Sequence, residues 1–151
     1  MQLPKLHTKF LVVLAWISLL PNVAMAEFRA VSVPKAILYD TPSAQGKKLF
    51  ILAQGYPVEV IVTLAEWVKV RDSQGSLSWI EAKQLSAKRT VLVTAATAEV
   101  RQTPENSGVA LGHLEKDVVL DLLEPAKSGW IKIKHRDGIT GFVPSNVVWG
   151  L

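Results

Sequence analysis

The chain reads as all-β, built of two small and similar β-units in tandem, and three observations predict this. After residue 26 no run of apolar residues at helical spacing is long enough to form a helix. Short segments rich in β-branched and aromatic residues recur instead, separated by glycine, proline, serine and aspartate. Finally, AILYDTPSAQGKKLFIL from Ala36 returns as AEVRQTPENSGVALGHL from Ala98, a constant offset of 62 positions.

The first 26 residues stand apart from the β-pattern and have the three parts of a secretory leader. Lys5 and Lys9 give a positive start, and Phe10–Leu20 is an apolar run too short for the ~20 residues that span a bilayer. Ala24 and Ala26 supply the small side chains of a peptidase site, so cleavage is expected between Ala26 and Glu27. Export would place the protein in the periplasm, with no transmembrane segment left after cleavage. The expected division is 1–26 signal peptide, 27–86 first unit and 87–151 second unit.

In the first unit FRAVSV opens, ILY follows Pro34, and TPSAQGK is a turn-rich loop. LFIL is a short strand and PVEVIVTL a longer one. WVKVR then alternates, with Val68 and Val70 on one face and Trp67, Lys69 and Arg71 on the other. DSQG turns the chain, SLSWI returns, and EAKQLS reads as a short turn or single helical turn. The polar SAKRT, residues 86–90, is the linker.

The second unit replays this order. Thr41 and Pro42 meet Thr103 and Pro104, Gly46 meets Gly108, and Leu52 meets Leu114. One extra residue near Lys127 changes the offset to 63, after which Trp67 meets Trp130, Lys69 meets Lys132, Gly75 meets Gly138 and Trp79 meets Phe142. Gly75 and Gly138 end polar turns in which a positive φ is required. Units of ~60 residues are marginal alone, so the two are expected to pack together.

Composition narrows the chemistry. No cysteine is present, which excludes disulfides, thiolate metal sites, a cysteine nucleophile and lipid attachment at a leader cysteine. Of 17 basic residues two lie in the leader, and with 13 acidic residues the remainder carries only +2. The basic residues are interspersed with acids, so no nucleic-acid partner is implied. Beyond the leader the histidines are His113 and His135, and neither has metal-ligand or triad spacing. Both are expected to be structural or solvated. Asp40, Asp72 and Asp137 border turns, where a carboxylate accepts from backbone N–H groups. No nucleophile and base can be paired, no cofactor or metal is implied, and the protein is expected not to be an enzyme.

The order of features, with the KRTVLV passage and the terminal Trp149–Gly150, resembles secreted bacterial SH3-like (SH3b) tandem-domain proteins of unknown function. That resemblance implies two tandem SH3-like small β-barrels following the cleaved signal peptide. AILYDT is similar to the ALYDY motif of peptide-binding SH3 domains, with Tyr39 retained and Thr41 in place of its second tyrosine, and Trp67 resembles the groove tryptophan. Glu81 and Gln84 stand where the groove proline and last tyrosine would be. In the second unit GFVPSN resembles that family's final strand and supplies Pro144 beside Trp130, while Arg101 and Val147 replace tyrosines. A proline-rich ligand would lose most of its aromatic ridges in either barrel.

The candidate ligand-binding residues are therefore Tyr39, Trp67 and Lys69 in the first barrel, and Arg101, Trp130, Lys132 and Pro144 in the second. Each tryptophan is read either as an aromatic platform beside basic residues, suited to a carboxylate-bearing peptide or glycan, or as an indole covered by the long loop of its own barrel or by the neighbouring barrel. Trp79 and Phe142 are read first as packing residues, and Tyr56 and Trp149 are placed at a seam between the barrels. The resemblance implies a non-catalytic extracytoplasmic module that binds an extended peptide or peptidoglycan. The alternative is a structural or assembly partner that docks on an envelope protein.

Overall fold

The computed structural model describes residues 25–151; all but the last two residues of the expected leader lie outside the described residues. The described chain forms two seven-stranded antiparallel sheets in succession. The first contains β1 (Glu27–Val31), β2 (Lys35–Tyr39), β3 (Lys48–Ala53), β4 (Pro57–Leu64), β5 (Trp67–Arg71), β6 (Leu77–Glu81) and β7 (Leu85–Ser86), in the order β3-β2-β6-β5-β4-β1-β7. The second contains β8 (Thr90–Val93), β9 (Thr97–Arg101), β10 (Ala110–Glu115), β11 (Val119–Lys127), β12 (Trp130–Lys134), β13 (Thr140–Pro144) and β14 (Val148–Trp149), in the equivalent order β10-β9-β13-β12-β11-β8-β14. Single 3-10 turns at Ala82–Gln84 and Ser145–Val147 occupy the short helical turn expected in each unit.

Alternation along the strands decides the core. Val68 and Val70 in β5 and Ile131 and Ile133 in β12 are wholly buried, while the residues between them are not. The first core gathers Val31, Ala36, Leu38, Val58, Val68, Val70 and Ile80. In a flat sheet β2 and β1, four places apart, would be separated by roughly 19 Å, four interstrand spacings. Their sharing of one core means that the sheet curls on itself into a small barrel. Val91, Val93, Val100, Leu120, Ile131, Ile133 and Val143 centre the second barrel in the same way.

The turns follow the repeat with two differences. Gly75 and Gly138 have φ of 87° and 93°, as their hairpins require. The Asp72 carboxylate accepts from the backbone N–H groups of Gln74 and Ser76, both at 2.9 Å, and that of Asp40 accepts from Lys47 N–H at 2.8 Å. Asp137 departs from this reading. Its carboxylate pairs with the His135 imidazole at 3.2 Å, and the His135 ring, standing where Asp72 stands in the first turn, faces the turn backbone instead. The extra residue near Lys127 does not lengthen the hairpin either, because Lys127 pairs with Trp130 as Leu64 pairs with Trp67. It is absorbed inside β11, as a second register shift between Glu124 and Lys127. Pro125 lies in that shift, where a residue without an N–H interrupts the ladder at least loss.

Only residues 87–89 separate the sheets, because Thr90 already belongs to β8. Thr90 is 2% exposed and donates its hydroxyl to the carbonyl of Gly55 in the first barrel at 2.7 Å. Phe28 of β1 meets Trp149 of β14 edge to face at 5.0 Å, and the Arg89 guanidinium lies 5.8 Å from the Phe28 ring while donating to the Gly150 carbonyl at 2.9 Å. Gly150 is required here: its φ is 116°, and an added Cβ would lie 2.9 Å from the Thr90 carbonyl oxygen and 3.3 Å from Pro57. Trp149 thus lines the seam as expected. Tyr56 instead packs on the core of its own barrel, its hydroxyl 2.7 Å from that of Ser73.

Candidate functional site

The side chains that alternation turns away from each core line up in rows across neighbouring strands. In the first barrel Tyr39 is opposite Trp79, Trp79 opposite Lys69, and Lys69 opposite Val62. The adjacent row runs Glu81, Trp67, Leu64. The equivalent rows of the second barrel are Arg101, Phe142, Lys132, Glu124 and Pro144, Trp130, Lys127. Five of these seven positions carry different residues in the two barrels, and that decides their chemistry.

Tyr39, Trp67 and Lys69 come together in the first barrel. Tyr39 is only 7% exposed and meets Trp67 edge to face at 5.6 Å, so it holds the indole in place more than it offers surface of its own. Trp67 stays half-buried, opposite Leu64, which is 53% exposed. The Lys69 ammonium lies 5.9 Å from the centre of the Trp79 ring, a cation–π distance. Among the described residues no carboxylate lies within ion-pair distance of Lys69. Glu81, the carboxylate next to Trp67, is engaged by Lys83 at 2.8 Å, and the hydrogen bond and charge of Glu81 hold that amine above its ordinary pKa.

In the second barrel Trp130 pairs with Pro144 across the strands and Lys132 with Phe142, so these candidates share one face with Arg101. Here the cations are satisfied internally. Lys132 donates to Glu124 at 3.0 Å while lying 5.8 Å from the Phe142 ring centre. Arg101 pairs with the Glu99 carboxylate and donates to the Gly108 carbonyl at 2.8 Å, tying down the long loop of the second barrel. No aromatic or ionic contact joins the two groups of candidates among the described residues.

Trp79 and Phe142 belong to these outward rows and to neither core cluster. Their reading as packing residues gives way to one in which each carries the lysine beside it. The signal was present, since Trp79 and Glu81 share strand parity and Glu81 faces Trp67 across the hairpin. His113 is exposed on β10, and among the described residues no group of three His, Cys, Asp or Glu side chains is placed to hold a metal. No helix among the described residues is long and apolar enough to cross a membrane.

Two curled antiparallel sheets of identical strand order, each with a Trp-led hairpin and a terminal 3-10 turn, define tandem SH3-like barrels. Residues 32–87 and 94–150 each match the bacterial SH3 domain family, and the chain belongs to that family. Among curated proteins no sequence match was found. Similar solved structures include NlpC2 from Trichomonas vaginalis, 14% identical, covering 83% of this chain and 48% of that one with a TM-score of 0.38. NlpC1 from the same organism is 13% identical over 82% of this chain and 45% of its own, with a TM-score of 0.39. An NlpC/P60 family protein from Bacillus cereus is 18% identical over 81% and 55%, with a TM-score of 0.38. The chain spans about half the length of each of these proteins.

Proposed function

We propose that the protein is a non-catalytic, extracytoplasmic binding module that recognises an extended peptide or peptidoglycan of the cell envelope through the outward face of the first barrel. The observation that carries this reading is the Tyr39-supported Trp67 beside a Lys69 with no carboxylate partner among the described residues. A half-open indole offers stacking area to a sugar or peptide plane, and the adjacent ammonium attracts a carboxylate, at a site whose geometry is fixed before binding. Bacterial SH3 domains commonly bind cell-wall components, which supports the choice of ligand class. The face of the second barrel contributes less, because Glu124 and Glu99 already occupy its cations.

The test is a peptidoglycan pull-down with the wild type, Trp67→Ala and Trp130→Ala. Trp67→Ala is expected to lose about tenfold or more of the retained protein, on the scale of one lost aromatic contact, and Trp130→Ala less. Equal retention of all three proteins would sink the reading.

A second reading, docking on an envelope protein, is favoured by one feature. β3 is an edge strand with Phe50 and Ile51 exposed by 43% and 66%, a surface of the kind that pairs with another chain. In-cell crosslinking distinguishes the two, since docking predicts a captured protein of defined mass and wall binding predicts capture in the insoluble wall.

A further inference from the structure

We propose that the cleft between the two barrels is a second binding site, separate from the aromatic face, and that it takes a short peptide whose carboxylate is held by Lys134 and Arg136. The cleft measures about 660 Å³, within the range of small-ligand sites. Its two walls differ in kind. The first barrel contributes only small or uncharged residues, among them Ser32, Ala53 and Gln54, whereas every charged group of the lining comes from the linker or the second barrel.

The charges on that wall are unevenly satisfied. Lys88 is paired with Asp121 at 2.8 Å, and the Asp137 carboxylate lies 3.2 Å from the His135 ring. Asp121 faces Lys134 across the β11–β12 ladder, but its carboxylate is given to Lys88. Lys134 and Arg136 are left with no carboxylate within ion-pair distance among the described residues. Two cations on either side of His135 that line the cleft together with an uncharged wall form a receptor for an anion, and the guanidinium can take a carboxylate through two parallel hydrogen bonds. Asp117, the remaining acid of the lining, excludes a purely anionic guest and faces the N–H or amine groups of a peptide.

The walls are held at a fixed distance. The buried Thr90–Gly55 hydrogen bond, the Phe28–Trp149 contact and the Arg89–Gly150 hydrogen bond all cross from one barrel, or the linker, to the other. At the floor, Gly55 has a φ of 86°, and a Cβ there would lie 3.3 Å from a Val119 methyl group. A cleft fixed in this way requires little ordering on binding, which favours affinity for a small guest.

Calorimetric titration of the full chain with the tripeptide Ala-Glu-Ala, and with its counterpart Ala-Gln-Ala amide, tests the site. The acid is expected to bind at least about tenfold more tightly than the amide, and the Lys134→Gln, Arg136→Gln pair to erase that difference, as the loss of charge-assisted hydrogen bonds predicts. Both side chains are exposed, so the pair is expected to leave the fold intact, checked by circular dichroism. Ala53→Trp fills the cleft from the neutral wall with all charges in place, and is likewise expected to lose binding. The acid–amide difference is also read in the Trp67→Ala background, where the aromatic face is disabled, and is expected to persist there. Equal affinity for acid and amide, undiminished binding by the charge pair or by Ala53→Trp, absence of binding at millimolar peptide, or loss of binding in Trp67→Ala would each overturn the assignment. Read in the Trp67→Ala background, these results do not depend on whether the aromatic face retains peptidoglycan.

Discussion

The two barrels share strand order, hairpin glycines and core pattern, yet their outward faces behave as opposites. Where the first barrel has Tyr39, Val62 and Glu81, the second has Arg101, Glu124 and Pro144. The first set leaves Lys69 with an aromatic neighbour and no carboxylate, whereas the second closes Lys132 and Arg101 into local ion pairs. Duplication therefore kept the scaffold and divided the surface: one face stays available for a ligand, and the other stabilises its own loops. The barrel-to-barrel seam is divided in the same manner. Phe28 of β1 corresponds to Thr90 of β8, and Trp149 of β14 corresponds to Ser86 of β7, so each large aromatic of the seam stands opposite a small polar residue in the other copy.

The largest effect is expected from erasing that difference at the seam. Phe28→Thr gives β1 the residue of β8 and removes a buried ring with its edge-to-face partner. A loss of about 3 kcal/mol is expected. Chemical denaturation followed by near-ultraviolet circular dichroism should then resolve two transitions where the wild type shows one. A single transition at the wild-type midpoint would mean that the seam does not couple the barrels.

A smaller effect is expected from Gly141→Ser. The equivalent residue of the first barrel is Ser78, which is 2% exposed and accommodated. At Gly141 an added Cβ would lie 2.6 Å from the Arg101 carbonyl oxygen and 2.7 Å from a Val100 methyl group. Backbone must move, at a cost of about 2 kcal/mol, read as a lower denaturant midpoint. No change in midpoint would show that β9 approaches β13 no more closely than β2 approaches β6.

The smallest effect on stability, and the sharpest on function, is expected from Glu124→Val, which installs the residue that faces Lys69 in the first barrel. An exposed ion pair is worth less than about 1 kcal/mol, so stability should barely move. Lys132 would be released, and retention on peptidoglycan should rise. Unchanged retention would mean that the ion pair is not what separates the two faces.

The parts of this structure that depend on neighbours along the chain were legible before any fold was known. Two-residue alternation placed Val68, Val70, Ile131 and Ile133 inside and Trp67 and Lys69 on the opposite face, because strand geometry ties a residue's side to its parity. The repeat placed the turn glycines, because a positive φ is a local demand. Of the candidate residues, Tyr39 meets Trp67, Lys69 lies on the same face over Trp79, and Trp130 stands against Pro144. What separates the two faces was not legible, because Glu124 reaches Lys132 through a ladder register that a bulge at Pro125 shifts by one residue. Such a shift leaves no periodic trace in the sequence.

The Trp-led hairpins and their repetition thus determined, by themselves, that the chain makes two small all-β barrels with a tryptophan and a lysine turned outward on each. Parity along a strand and the backbone freedom of glycine are properties of single segments, and a sequence states them directly. Only the tertiary structure decided which of those lysines is left without a carboxylate, that Phe28 and Trp149 clasp the barrels together, and that a cleft with one neutral wall and one cationic wall opens between them. These are relations between segments distant along the chain, set by sheet register and by the packing of one barrel on the other, and they come into being only when the folded chain brings the segments together.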